Sequence, residues 1–380
     1  MTYFLSSDAV LKWLEAPSVY HIKRDDLYEL DEDSFRFLGE CATDNGRSSG
    51  DKEFIGYCLN EGLLTENRIV SGRPPVVKAP SPSLRYLELQ ITDICNLRCR
   101  HCYIGAGASS ELSVEQVGSV LRQFEAMQGL RIMITGGEPL MHSKFWEINE
   151  ILPSFFLRKI LFSNGLLLDA ASLKRLHIDE IQVSIDGLEK AHEALRGSGT
   201  YKKALRAVRQ AIDYGFAVSV ATMVHRGNLA DFSKMERLFL GLGIKDWTVD
   251  VPCPAGRMKD NADFMVTPEI GGKYLRYGYG EGLHAGLPGY ACGLHLMAVM
   301  ADGRISKCSF YADSPVGSVR EDLRECWSRI TPIRLQELTC DCDVLESCRG
   351  GCRYRAALLG NPNGKDLYKC ISYDKISGKY

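Results

Sequence analysis

Several features are missing from this 380-residue sequence, and each absence narrows what the chain can be. No apolar run approaches the ~18 residues a membrane-spanning helix needs, so no membrane partner is expected. The first residues, Met1-Thr2-Tyr3-Phe4-Leu5, lack the basic start and long apolar core of an export signal. Neither sign of charge dominates: 46 Lys and Arg stand against 48 Asp and Glu, a net charge of −2, which gives no reason to expect a nucleic-acid partner. Without export, a cytoplasmic location is expected, where thiols stay reduced. The fourteen cysteines are then better explained by metal or cluster binding than by disulfides. Apolar residues make up 45% of the chain and charged residues 25%, an ordinary globular balance with length for two or three domains.

The densest cysteine group is Cys95-Asn96-Leu97-Arg98-Cys99-Arg100-His101-Cys102, directly after a strand-like run at 84–92. Iron–sulfur clusters use thiolate ligands and normally take four. Three thiolates on a short loop therefore suit a cubane with one iron left open. Zinc is the rival reading, although structural zinc sites are closed by four ligands, often as two C-x2-C pairs.

Cys95, Cys99 and Cys102, followed by Tyr103, resemble the signature of the radical S-adenosylmethionine (SAM) enzymes. The resemblance implies a 4Fe–4S cluster whose open iron binds the amino and carboxylate groups of SAM. SAM is then cleaved to methionine and a 5′-deoxyadenosyl radical. The cofactor carries the hard chemistry and the protein positions it. It also implies an α/β fold: a partial (β/α)6 barrel of the TIM type.

Ahead of the motif, residues 19–22 and 27–30 read as two short strands around a charged turn, Lys23 to Asp26. A helical pattern opens at Asp33, and a second covers 51–60 before Gly62-Leu63-Leu64. This order resembles the winged-helix domain that precedes many radical SAM peptide-modifying enzymes and binds a precursor's leader as an added strand. A purely structural cap is the alternative. Residues 1–70 are assigned to this unit. Residues 71–83, with Pro74, Pro75, Pro80 and Pro82, read as an extended linker. Cys41 and Cys58, alone in helix-like stretches, read as buried apolar residues.

From residue 84 strands and helices alternate, which predicts a parallel sheet. Strands are expected at 84–92, 130–135, 158–163, 180–186, 216–224 and 245–251. Helices are expected at 114–128, 142–156, 170–176, 201–214 and 229–242. Residues 84–255 form the barrel and 256–289 a connector. Sites in such barrels gather at the C-terminal strand ends, where the remaining motifs fall. Gly136-Gly137-Glu138-Pro139 ends the second strand; by resemblance this segment binds SAM, with Glu138 accepting its amino group. Asn164 ends the third strand, and Ser184 with Asp186 ends the fourth, both resembling SAM-contact segments. Tight-turn chemistry also accounts for Asn-Gly and Asp-Gly. Arg196 is assigned by resemblance to the SAM carboxylate, which a guanidinium fork suits. Met223 and Val224 end the fifth strand, either against adenine or in the core. Cys253 begins a Pro-x-Gly-Arg run that resembles the barrel exit of enzymes carrying a further cluster domain. No catalytic acid or base is assigned.

Residues 290–370 hold eight cysteines. Their arrangement, with Arg349-Gly350-Gly351-Cys352 among them, resembles the SPASM domain, assigned to 290–380, which binds two auxiliary 4Fe–4S clusters. By position, one auxiliary cluster takes Cys292, Cys308 and Cys352. The other takes Cys340, Cys342, Cys348 and Cys370. The expected cofactors are SAM and three 4Fe–4S clusters. Cys340-Asp341-Cys342 is C-x-C where relatives have C-x2-C, and one early cysteine stands where several relatives have two. A zinc-ribbon reading is the alternative. Cys326, beside Trp327, reads as packing. The first auxiliary set is one thiolate short, with Cys253 and His295 as candidates and Cys326 a poorer third. An open iron suits capture of a substrate cysteine.

The expectation is a radical SAM/SPASM oxidoreductase that modifies a ribosomally made precursor peptide, by thioether or other cross-link formation. Its partners are the precursor and an electron donor such as flavodoxin or ferredoxin. An enzyme acting on a protein or a tetrapyrrole is the alternative. Sulfatase maturases carry an aspartate after the cysteine matching Cys308, where this chain has Ser309. A non-enzymatic iron–sulfur carrier or redox sensor would have no need of the Gly-Gly-Glu-Pro segment.

Overall fold

The computed structural model describes residues 1–69, 72–105, 109–280, 282 and 286–375. The boundary expected between residues 70 and 71 lies outside them.

The N-terminal unit contains β1 (Phe4–Leu5), β2 (Ala9–Trp13), β3 (Pro17–His21), β4 (Asp26–Glu29), α1 (Glu32–Cys41), α2 (Lys52–Asn60) and β5 (Leu64–Thr65). Strands β2, β3 and β4 form an antiparallel sheet in that order. Strand β2 was not expected, because Ala9-Val10-Leu11-Lys12 buries both faces and shows no alternation. Asp31 and Asp51 cap the two helices by accepting backbone N–H groups from Ser34 and Phe54. Cys41 and Cys58 are buried in this unit's core, as expected of apolar packing residues.

The barrel follows: β6 (Tyr86–Thr92), α3 (Val114–Ala126), β7 (Arg131–Gly136), α4 (Phe145–Ile151), β8 (Arg158–Ser163), α5 (Ala170–Arg175), β9 (Glu180–Ser184), α6 (Glu189–Arg196), α7 (Tyr201–Asp213), β10 (Ala217–Met223), α8 (Phe232–Gly241) and β11 (Asp246–Asp250). The six strands pair in chain order, all parallel. Ile132, Met133 and Ile134 are buried in succession, as expected of strands covered on both faces. Helix α4 is shorter than the expected 142–156, because Pro153 follows it in a single 3-10 turn. Helix α6 was not expected.

The C-terminal part holds α9 (Pro268–Tyr274), β12 (Leu296–Val299), β13 (Arg304–Ser306), β14 (Gly317–Ser318), α10 (Leu323–Ser328), α11 (Leu345–Cys348), α12 (Arg353–Leu358) and α13 (Leu367–Ser372). Its first half is not a separate layer. Strand β12 pairs parallel with β6, and β13 and β14 extend the same sheet to nine strands among the described residues. The edge of β6 is thereby covered, which an exposed parallel edge requires. Met297, Val299, Ile305 and Trp327 join the barrel's own core. A smaller apolar cluster gathers Ala291, Leu335 and Leu338. Among the described residues no helix is long and apolar enough to cross a membrane.

The segment 72–83 runs extended, yet it is tied down on both sides. Arg73 donates to the carbonyls of Leu5, Ser6 and Ala9. Ala79 N–H donates to the Trp13 carbonyl at 2.8 Å, and Trp327 Nε1 donates to the Pro82 carbonyl at 2.8 Å.

A buried ionic network plugs the N-terminal mouth of the barrel. Asp25, in the β3–β4 turn, accepts from Tyr20 and from Arg131 Nε at 2.8 Å, and pairs with Arg158 Nε at 3.2 Å. Arg158 also binds Glu180 at 2.7 Å and the carbonyls of Ile22 and Lys23. Arg131, Arg158 and Glu180 begin β7, β8 and β9. One residue of the N-terminal unit thus ties together the starts of adjacent barrel strands. Asp25→Ala removes the carboxylate shared by two buried guanidinium groups, so it is expected to cost about 3 kcal/mol, measurable as a lowered denaturant midpoint.

Candidate functional site

Strand β6 ends at Thr92, and the cysteine loop leaves it across the next strand end. Gly137 N–H donates to the Thr92 carbonyl at 2.7 Å, and Glu138 N–H donates to the Ile94 carbonyl at 2.8 Å. A Cβ on Gly136 would lie 2.1 Å from the Thr92 carbonyl oxygen, and one on Gly137 2.3 Å from that of Ile94. The two glycines therefore admit the chain's own backbone, and in doing so fix where the loop begins.

The far end of the loop is held from the barrel exit. Arg257 N–H donates to the Cys102 carbonyl at 2.9 Å. Its guanidinium donates to the carbonyls of Cys99 at 3.3 Å and Gly105 at 2.6 Å. Gly256, at φ +51°, lies so close that a Cβ would be 2.3 Å from the Cys102 carbonyl oxygen. The Pro-x-Gly-Arg run is visible in the sequence, but this clamp is not, since more than 150 residues separate its partners.

Within this frame Cys95, Cys99 and Cys102 line a cavity of about 310 Å³. Gly136, Gly137, Asn164, Ser184, Asp186 and Arg196 share its wall, so six of the eight expected SAM-contact residues meet there. Glu138 and Pro139 are buried and lie outside the lining. Glu138 instead accepts from Ser163 Oγ and Asn164 N–H, both at 2.8 Å, and burial pushes its pKa up to about 7. It secures the end of β8, where Asn164 Nδ2 in turn donates to Asn96 on the cysteine loop at 2.7 Å.

Asp186 and Arg196 form a buried ion pair. Burial opposes ionisation of Asp186, but Arg196, His101 and His192 outweigh it and hold the carboxyl well below the usual range. Asp186 also accepts the Met223 N–H at 2.7 Å. Arg196 reaches Cys99 Sγ at 3.9 Å and His101 Nε2 at 3.4 Å. The pair thus ties β9, β10, α6 and the cysteine loop together. Of the fifth-strand residues, Met223 lines the cavity and Val224 is core.

Sequence reasoning missed Glu88, a carboxylate on the cavity wall from the middle of β6. Burial raises its pKa, and it accepts the Ser309 N–H at 2.9 Å. A single charge inside Leu87-Glu88-Leu89 was the available signal. His101, Tyr103, Gln182, Thr248 and Phe310 also line the cavity unforeseen. The side-chain nitrogen of Gln182 and the hydroxyl of Thr248 are buried without hydrogen-bond partners.

Cys340, Cys342, Cys348 and Cys370 together line a second, smaller pocket of about 30 Å³, with Lys365, Lys369 and Lys375 at its rim. The C-x-C spacing does not prevent the four from meeting. Cys292, Cys308 and Cys352 are electrostatic neighbours in a third group. Arg349, Gly350 and Gly351 all have positive φ, and this turn sends Cys348 and Cys352 to different groups. Among the described residues no three His, Cys, Asp or Glu side chains converge as they would on a single metal ion. Thiols spread around pockets suit a larger group such as a cubane, whose iron atoms each take a separate thiolate.

The fold and site can now be set beside known proteins. An AdoMet-dependent heme synthase of Oleidesulfovibrio alaskensis is 27% identical over 214 residues, which is 54% of this chain and 55% of that protein. The chain therefore aligns with little more than half of that relative's length. The sporulation killing factor maturation protein SkfB of Bacillus subtilis is 27% identical over 307 residues, covering 74% of this chain and 72% of SkfB. Streptococcus suis SuiB, solved bound to S-adenosylmethionine, shares the fold with a TM-score of 0.68 at 14% identity, covering 96% of this chain and 99% of SuiB. Residues 89–239, which carry the cysteine loop and most of the cavity wall, match the sequence model of the radical SAM superfamily, and this stretch of the chain is a radical SAM domain.

Proposed function

We propose that this chain is a radical SAM oxidoreductase that modifies a ribosomally made precursor peptide. One observation carries the reading. Cys95, Cys99 and Cys102 line the same cavity as Cys253, Ser309 and Phe310, which border the first auxiliary thiols. A substrate residue held there lies between the two thiol groups. The similarity to SkfB, named as a maturation protein, supports the peptide. SuiB, the structural neighbour, has been solved with its precursor peptide SuiA.

The donor sets fit the groups the reading needs. Cys95, Cys99 and Cys102 hold the SAM cluster, and Cys340, Cys342, Cys348 and Cys370 hold one auxiliary cluster. Cys292, Cys308 and Cys352 belong to the other. When bound, the cluster and SAM supply a 5′-deoxyadenosyl radical that abstracts hydrogen from an unactivated carbon. Gly136, Gly137, Asn164, Ser184, Asp186 and Arg196 contact SAM, while Glu138 and Pro139 hold the strand ends that carry them. A donor of the flavodoxin or ferredoxin class supplies the electron.

A tetrapyrrole is the second substrate reading, favoured by the heme synthase match. The N-terminal unit argues for the peptide. Strand β4 is the outer strand of its sheet. Tyr28 on β4 and the half-exposed Tyr57 on α2 stack edge to face at 6.3 Å beside that edge. An added peptide strand takes main-chain hydrogen bonds from such an edge and side-chain contact from the rings.

Three outcomes test the proposal. Replacing Cys95, Cys99 and Cys102 with Ala is expected to abolish reductive formation of 5′-deoxyadenosine while auxiliary iron remains; unchanged formation would sink the reading. Arg257→Ala frees the loop carbonyls, so 5′-deoxyadenosine formation is expected to fall by about tenfold, or about 1.4 kcal/mol. Tyr57→Ala is expected to weaken binding of the precursor peptide by about 0.5–1.5 kcal/mol in titration calorimetry. Equal affinity would return the N-terminal unit to a structural cap.

A further inference from the structure

Cys292, Cys308 and Cys352 provide three thiolates where a cubane normally takes four. The three candidates for the missing ligand have different surroundings. His295 Nδ1 lies 2.7 Å from the Ser83 carbonyl oxygen, and the charged neighbours of its ring are Arg85, Glu15 and Arg349. Cys326 is buried in the barrel core beside Gly317, with Glu321 and Arg329 as its charged neighbours.

Cys253 is differently situated. It follows β11, is 6% exposed, and lines the cavity beneath the cysteine loop. Its neighbours include Cys352 and Arg355. Arg355 is held by Asp250 and Asp366 and, against the burial that raises both thiols, lowers the pKa of Cys352 and, with Lys307 and Arg353, of Cys292. Tyr354, two residues past Cys352, stacks on Phe310 at 5.3 Å and meets Tyr311 edge to face at 5.4 Å, which sets the start of α12 against the turn that follows Cys308. Asp366 also accepts the Cys352 N–H at 2.8 Å, so Asp250, Arg355 and Asp366 tie the end of β11, just before Cys253, to Cys352.

We infer that Cys253 is the fourth protein ligand of the first auxiliary cluster, an inference that rests on reading Cys292, Cys308 and Cys352 as a cluster site. Cys253 binds as the thiolate, its proton leaving to solvent as the cluster assembles. Two consequences follow for the proposed chemistry. With four protein thiolates no iron is open to a substrate cysteine, so the cluster's role is electron transfer rather than substrate ligation. The same short segment, 253–257, then carries a ligand of one cluster and the clamp on the loop of another. Arg257 N–H bonds to the Cys102 carbonyl only four residues beyond Cys253. The two cluster sites are joined by one stretch of backbone.

The test uses the full chain with Cys95, Cys99 and Cys102 replaced by Ala, so that reconstituted iron is auxiliary iron alone. Iron content, Mössbauer spectra and EPR of the reduced protein are recorded with and without cyanide, a small probe for an open iron. With Cys253 present, the spectra are expected not to move on adding cyanide. C253A is expected to show a cyanide-dependent EPR shift, and to lose one iron on mild oxidation to give a three-iron signal. C253S, which keeps an oxygen donor, is expected to lose that iron more slowly. A cyanide shift in the parent protein overturns the inference without recourse to any variant, as do identical spectra for C253A and its parent. Absence of all auxiliary iron from the parent would instead sink the cluster reading itself.

Discussion

Two strand ends of this protein approach each other more closely than side chains allow. The backbone at Thr92–Ile94 passes over Gly136 and Gly137 at a distance where any Cβ would collide with a carbonyl oxygen. The resulting hydrogen bonds continue the β6–β7 pairing beyond the last strand residue. A loop of eight residues bearing three cysteines would otherwise sample many conformations, at an entropic cost of about 1–2 kcal/mol for each residue then fixed. Here both ends are fixed by main-chain contacts, from Gly136–Gly137 at the start and Gly256–Arg257 at the end. Every residue of the cavity is placed relative to that loop.

Electrostatics then orders the cavity wall. Asp186 and Arg196 neutralise each other in a buried setting, and the guanidinium is left facing His101 and Cys99. Truncating either partner would leave an uncompensated buried charge. Glu88 is a contrast, because it accepts from the neutral Ser309 amide rather than from a cation. A desolvated carboxylate on a cavity wall is costly to keep, and such groups concentrate at functional sites.

The opposite mouth of the barrel depends on the N-terminal unit. Asp25 supplies the carboxylate for Arg131 and Arg158, so β7 and β8 begin on a side chain outside the barrel. At the other edge, β12 covers β6. The barrel and the C-terminal part therefore share one sheet, and the N-terminal unit is joined to the barrel by the Asp25 ionic network. Residues 72–83 look like a spacer by their prolines, yet Arg73 and Ala79 bind them to the N-terminal sheet.

The sequence by itself determined the local order: alternating strands and helices, the cysteine loop at a strand end, and Gly-Gly-Glu-Pro at the next. These are legible because apolar periodicity, caps and turn residues act over a few positions. The thiol groups of the C-terminal part were legible too, since cysteines carry their chemistry wherever they stand. Only the tertiary structure decided which distant residues meet. It set Glu138 against Ser163 and Asn164 at the end of β8. It brought Arg257 onto the carbonyls of Cys99 and Gly105. It added β12 to the edge of β6 and set Cys253 on the wall of the cavity beneath the cysteine loop. Each of these depends on contacts between residues far apart in the chain, and no short-range pattern in a single sequence encodes such a contact.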